Sequence, residues 1–292
     1  MADLFAVLSS YPLLAYGVVV LFSLLIGSFL NVVIYRLPVM MQQAWARDCA
    51  ELRGEPSPDT PPFNLAVPRS RCGTCGHMIG AWENIPIVSF LWLRGRCRAC
   101  KTPLSWRYPA IELISALLAL ACLHIFGLSW QALFASVFAW VLLVLACIDF
   151  DTQLLPDSLT LPLLWLGLLF NAGLATIGFC SLQAAVYGAA IGYLSLWSVY
   201  WVFKLVTGKE GMGYGDFKLL AALGAWFGWQ ALPAIILLSS ISGAIIGSLW
   251  LLLHRQGRDH PIPFGPFLAC AGLLQLFFGP TLQYILSVFS PV

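Results

Sequence analysis

The sequence predicts an all-α polytopic membrane protein of about eight transmembrane helices, with a cytoplasmic insertion between the first two. Three observations predict this. Sixty per cent of the 292 residues are hydrophobic and only ten per cent are charged, against a charged share of about a quarter in soluble domains. Apolar runs long enough to cross about 30 Å of hydrocarbon, at about 1.5 Å per helical residue, recur along the chain. The one sizeable polar segment is residues 36–107.

In order, the spans fall near 12–35, 108–127, 130–149, 159–178, 184–204, 216–232, 234–253 and 264–288. The first has no basic residue before it and no small-residue cleavage site, and it is too long for a signal core, so it reads as a permanent helix. If the amino terminus lies outside, all fifteen Lys and Arg residues fall on one side: ten in 36–107, then Lys204, Lys209, Lys218, Arg255 and Arg258. Basic residues near spans stay in the cytoplasm, so both termini are expected to be periplasmic. The sixth span is the weakest, because Gly228 and Pro233 interrupt it and about 17 residues barely cross; a short, tilted or re-entrant helix is expected. The chain divides accordingly into a first transmembrane helix (1–35), the insertion (36–107) and a transmembrane core (108–292).

Within the insertion, CGTC (72–75) and CRAC (97–100) are separated by 21 residues. A CxxC turn aims two sulfurs at one point, and two such turns complete a tetrahedral thiolate set, so Cys72, Cys75, Cys97 and Cys100 are expected to hold a structural zinc ion with no position open to water. Two disulfides or a redox pair are the alternative, which a reducing cytosol disfavours. Arg71, Arg94, Arg96, Arg98 and Lys101 either offset the roughly −2 charge of such a centre or face anionic headgroups; both readings stand. Cys49, Cys122, Cys147, Cys180 and Cys270 show no paired spacing and read as small hydrophobes. His254 and His260 read as loop residues.

An ionisable group inside a span costs several kcal/mol and is a functional candidate by default. Asp149 ends the third span, Asp151 follows in the turn, and Asp157, after Pro156, is expected to cap the fourth. Asp216 opens the sixth span within GMGYGDFKLL (211–220). Glu112, at the start of the second, suits a positive helix end. Asp149 and Asp216 therefore end at one depth on different helices, as an aspartyl protease requires of two carboxyls sharing a proton. Gly213 and Gly215 would let the backbone unwind beside an extended substrate. An aspartate capping a flexible loop would leave the same pattern. A transporter or proton channel using both aspartates as a relay is a reading of another class, and a noncatalytic assembly factor recruiting partners through its zinc knuckle is a third.

GSFLNVVIYRLP (27–38), the two CxxC pairs, IDFDTQLLPD (148–157) and GYGDFKLL (213–220) together resemble the type IV prepilin peptidases, over essentially the whole chain. The resemblance implies a bacterial inner-membrane aspartyl endopeptidase that removes the leader of prepilins and type II secretion pseudopilins at the cytoplasmic face. It also implies that the enzyme N-methylates the new amino terminus with S-adenosylmethionine. By it, Asp149 and Asp216 are the catalytic pair, residues 108–292 the catalytic core, and Cys72, Cys75, Cys97 and Cys100 the zinc ligands. Prepilins and the lipid bilayer are the expected partners, and no nucleic acid. Helix dipoles would leave Asp216, at a helix start, ionised and Asp149, at a helix end, holding the shared proton. No GxGxxG follows a strand, so the methyl donor needs an unconventional site; the neighbourhood of WLRGRC (92–97) and Asn84 is expected to supply it. Asp48, Glu51, Glu55 and Asp59 could attract the basic leader or could simply be solvated.

Overall fold

The computed structural model describes residues 10–56, 61–173, 178–254 and 263–289. Asp59, Arg255, Arg258, His260 and the last turn of the expected fourth span lie outside them. Among the described residues the elements are helical, and the only β pairing is two isolated bridges. The helices are α1 (Pro12–Leu52), α2 (Val88–Trp92), α3 (Arg107–Phe126), α4 (Trp130–Thr152), α5 (Asp157–Gly173), α6 (Leu182–Thr207), α7 (Tyr214–Phe227), α8 (Leu232–His254) and α9 (Gly265–Phe289), with 3-10 turns at Ala81–Asn84 and Trp229–Ala231. Each expected span overlaps a described helix, the fourth and the sixth in part. Among the described residues six stretches are long and apolar enough to cross a bilayer: α1, α3, α4, α6, Trp229–Leu249 and Gly265–Leu282. The chain is a multi-pass membrane protein.

The chain divides into two compact units, up to Leu128 and from Ser129 onward. In the first, α1 continues past the expected exit at residue 35 to Leu52. Its 41 residues span about 60 Å, twice the hydrocarbon thickness. The residues after Pro38 are good helix formers without glycine, and the helix stops only before Gly54, at φ +66°. Small and polar residues join α1 to α3. A Cβ at Gly27 would come within 2.7 Å of Glu112 Cα, Ser115 Oγ donates to Ser23 O at 2.8 Å, and Asn31 Nδ2 donates to Tyr108 O at 3.1 Å. Interhelical hydrogen bonds and close backbone approach are the forces that remain when lipid surrounds a helix pair.

In the second unit α7 is buried around nearly its whole circumference from Asp216 to Phe227, as expected of a helix apolar on every face. Its 14 residues, about 21 Å, are too few to cross alone, and it ends at Gly228 with φ +79°. The expected sixth span is therefore short, and 3-10 turn Trp229–Ala231 leads from it into α8. On one side Gly188 and Gly192 of α6 meet the backbone of Gly224 and Leu220, leaving no room for a side chain. On another, Trp226 Nε1 donates to Leu163 O of α5 at 2.9 Å. Phe138, Phe170 and Phe227 surround the Trp226 end of α7.

Candidate active site

Both candidate aspartates belong to the second unit. Asp149 lies one turn before the end of α4, and Asp216 in the first turn of α7. Both side chains are buried, and the turn that follows Asp149 packs against the residue that precedes Asp216. What brings them together is the turn between α4 and α5. Gln153, in left-handed conformation at φ +56°, closes α4 by donating its N–H to Asp149 O at 2.8 Å. The chain then places Leu155 against Gly215, where a Cβ would approach within 2.6 Å of Leu155 Cβ. Two residues later Asp157 receives Lys218 Nζ on both carboxylate oxygens at 2.7 Å. An apolar contact and an ion pair thus fix the α4–α5 turn to the start of α7.

Three sequence expectations change here. Asp157 is the first residue of α5 and pairs with Lys218, while the Pro156 carbonyl accepts from the N–H groups of Leu159 and Thr160. Lys218 is correspondingly directed to Asp157 rather than Asp216. Gly215 makes room for the Leu155 side chain, and Gly213 is the extended N-cap of α7 at φ −81°, so neither occupies a backbone conformation reserved for glycine. The helix-dipole assignment also loses its asymmetry, because Asp149 Oδ2 accepts the N–H of Gly265 at 2.9 Å. Gly265 is the first residue of α9, so a positive helix end faces each aspartate.

The loop before Asp216 is tethered too. Lys204 Nζ donates to Glu210 Oε1 at 2.8 Å and to Tyr200 Oη at 3.2 Å, and the ammonium holds the Glu210 carboxyl below the usual carboxylate range. Behind it Tyr200 and Tyr214 each meet Phe217 edge to face and lie tilted to one another.

In the first unit the four cysteines come together as expected. Cys72 and Cys100 Sγ are 3.8 Å apart, Cys75 and Cys97 Sγ 4.0 Å, and all four sulfurs lie within 4.8 Å of one another. A tetrahedral zinc ion about 2.3 Å from each sulfur sets S···S edges of roughly 3.8 Å, so the set fits zinc. The two knuckles repeat one construction. Cys72 N–H donates to His77 O and Cys97 N–H to Thr102 O, each at 2.9 Å, with left-handed Gly76 and Lys101 at equivalent turns. Glu83 links them, accepting from Gly80 N–H at 3.1 Å, pairing with His77 at 3.3 Å and receiving Arg98 at 3.4 Å.

Residues 21–126 match the family model of the bacterial peptidase A24 N-terminal domain, and residues 136–248 that of the type IV leader peptidase family. A prepilin leader peptidase/N-methyltransferase of Aeromonas hydrophila is 55% identical over 287 residues, 97% of each chain. One from Pseudomonas aeruginosa is 54% identical over 274 residues, 93% of each, and one from Burkholderia pseudomallei 50% identical over 286, 97% of this chain and 91% of that one. The chain belongs to the type IV leader peptidase family. No solved structure gives a significant match.

For this member of the family, sequence reasoning missed Gly265, Leu155 and the Asp157–Lys218 pair. The signal for Gly265 was a glycine between Pro263 and Pro266 at the start of an apolar run, a helix-opening composition. The expected methyl-donor segment does frame a pocket of about 410 Å³, lined by Trp92, Leu93, Arg94, Arg96 and Lys101. Asn84 is not among its walls. S-adenosylmethionine pairs a carboxylate with a sulfonium cation, and three cationic side chains with no acid suit only the first.

Proposed function

We propose that this chain is an aspartic endopeptidase of the inner membrane. It cleaves the leader of prepilins and pseudopilins at the cytoplasmic face and then methylates the new amino terminus using S-adenosylmethionine. The observation that carries the protease reading is the burial of Asp149 and Asp216 on separate helices of one unit, with Leu155, which follows Asp149, packed on Gly215, which precedes Asp216. The shared name of the relatives, prepilin leader peptidase/N-methyltransferase, supports both activities.

In the proposed reaction the two carboxyls hold one proton between them. The ionised member accepts a proton from water as the water oxygen attacks the scissile carbonyl, and the protonated member donates to the carbonyl oxygen. Collapse of the tetrahedral species passes a proton to the departing nitrogen and restores the pair. The Gly265 N–H fixes Asp149 Oδ2, leaving the other oxygen for water. A site at the end of α4 and the start of α7 suits a substrate whose basic leader is in water and whose following helix is in lipid. The basic residues of 36–107 with Lys204, Lys209 and Lys218, which the order of the first five spans puts on one side, support placing that site in the cytoplasm. The four thiolates would hold zinc as a closed structural centre. The lining of the Trp92–Lys101 pocket does not fit the whole methyl donor, so no methyl-transfer step is assigned to it.

Purified protein incubated with a prepilin and S-adenosylmethionine should yield a product lighter by the leader and heavier by one methyl group. Asp149→Asn and Asp216→Asn should each abolish leader loss while expression and membrane insertion persist. A relay in a transporter would leave cleavage absent in the parent protein as well.

A further inference from the structure

We propose that the Trp92–Lys101 pocket binds the phosphate of an anionic phospholipid headgroup at the inner face of the bilayer. The pocket lies in the first unit, and its floor is a tight hydrogen-bonded turn. Gly95 N–H donates to Phe90 O at 2.8 Å, Arg96 N–H to Leu93 O at 3.1 Å, and Leu104 N–H to Gly95 O at 2.7 Å.

Two links set its depth. Phe90 packs edge to face on Trp106 with ring centroids 4.8 Å apart, and Arg107, the next residue, opens the membrane span α3. The pocket therefore begins two residues from a side chain in contact with the last residue before a span, which is headgroup level. Trp92 and Trp106 are 79% and 73% exposed, the placement of amphipathic rings at a membrane–water boundary.

Charge sets the ligand's sign. Arg98 is taken up by Glu83, but among the described residues Arg94, Arg96 and Lys101 have no carboxylate partner. A zinc–thiolate centre nearby carries about two negative charges and leaves the three cations in modest excess. Arg94, at φ +52°, sits in left-handed backbone outside the two cysteine turns. Non-glycine residues adopt that conformation rarely, and it clusters where side chains must be aimed. Guanidinium groups recognise phosphate by paired donors, and Trp92 and Leu93 supply the apolar wall that a glycerol backbone would meet.

The test uses the full-length protein in a neutral detergent, with native mass spectrometry against equal amounts of phosphatidylglycerol and phosphatidylcholine. Retention of phosphatidylglycerol should exceed that of phosphatidylcholine severalfold, since each cation near an anionic surface favours the anionic lipid. The double variant Arg94→Asn, Lys101→Asn keeps residues that tolerate left-handed backbone and should lose the preference at unchanged zinc content. Should it lose zinc, Arg94→Asn alone, three residues from the nearest cysteine, should still lower the preference severalfold. Equal retention of the two lipids, or preference unchanged in the single variant, overturns the proposal. Displacement of phosphatidylglycerol by millimolar inorganic phosphate would assign the pocket to a free anion and overturn the lipid reading. Leader cleavage plays no part in the readout, so the inference stands or falls separately from the protease reading.

Discussion

The carboxyl of Asp149 is held by one backbone N–H, and the residue that supplies it has no side chain for a reason. A Cβ on Gly265 would fall within 2.6 Å of Asp149 Oδ2 and 3.0 Å of its Cγ, so Gly265→Ala must push the carboxyl aside while leaving the donor in place. Misplacing a catalytic group by about 1 Å costs on the order of a hundredfold in rate. Prepilin cleavage by Gly265→Ala should fall by that order, with thermal stability in detergent close to the parent's; full activity would show that Asp149 is not the reacting group. A contrasting case is Asn171, 2% exposed, whose amide donates to the Ala225 and Trp226 carbonyls and accepts the Phe179 and Cys180 N–H groups. Its role is structural. Asn171→Leu takes a partner from four backbone groups, of which the Trp226 carbonyl keeps another, the Cys180 thiol; a buried group without a partner costs about 1–3 kcal/mol, so the thermal midpoint should drop by several degrees while residual folded enzyme cleaves normally.

At the scale of elements, the α6–α7 contact decides where Asp216 sits, because α7 is too short to be positioned by the bilayer itself. Gly188 meets the backbone of Gly224 with no gap, so Gly188→Ala has to separate the two helices, and both stability and cleavage should fall. Gly17, with open space around it on α1, is the control: Gly17→Ala should be neutral in thermal unfolding and cleavage alike. Equal behaviour of the two variants would show that the close crossing is unimportant. Much of this level was legible beforehand. Six of the helices are plain from hydropathy, and the cysteines from spacing, since a CxxC turn fixes its own geometry. The aspartates stood out as charges in hydrocarbon. The continuation of α1 was hidden because Arg36 and Pro38 read as an exit from lipid, whereas a helix can go on in water if its residues permit. Instead Arg36 is buried, donating to the Asn64 and Pro68 carbonyls at 2.8 and 2.6 Å. Gly265 was hidden because it meets Asp149 across 116 residues of sequence, and no local pattern encodes such a contact.

At the scale of the molecule, the two compact units differ in what holds them. The second is packed helix on helix around α7. In the first, the described part of the insertion between residues 61 and 105 buries only Pro86, Phe90 and Cys97, too little apolar surface to order that many residues. Ligation of the proposed zinc by the four thiolates would then be the main source of its fold. Removing zinc with a chelator should open residues 61–105 to protease while the helical signal of the spans persists; an insertion that resists protease without metal would refute this. Glu83 sharpens the prediction, because it ties the two knuckles together. Gly80 N–H, His77 and Arg98 hold its carboxyl below the ordinary carboxylate range. A depressed carboxylate contributes stability that is fully present above the unfolded value near 4.3 and is lost as pH falls through the folded one. Glu83→Gln keeps the shape but not the charge, and loss of such a supporting contact weakens metal retention by about 10–100-fold. In chelator competition the parent should therefore hold zinc better than Glu83→Gln throughout neutral pH. The gap between them should close only below about pH 4.3; a gap that is absent at pH 7 would mean that Glu83 does not brace the cysteine knuckles.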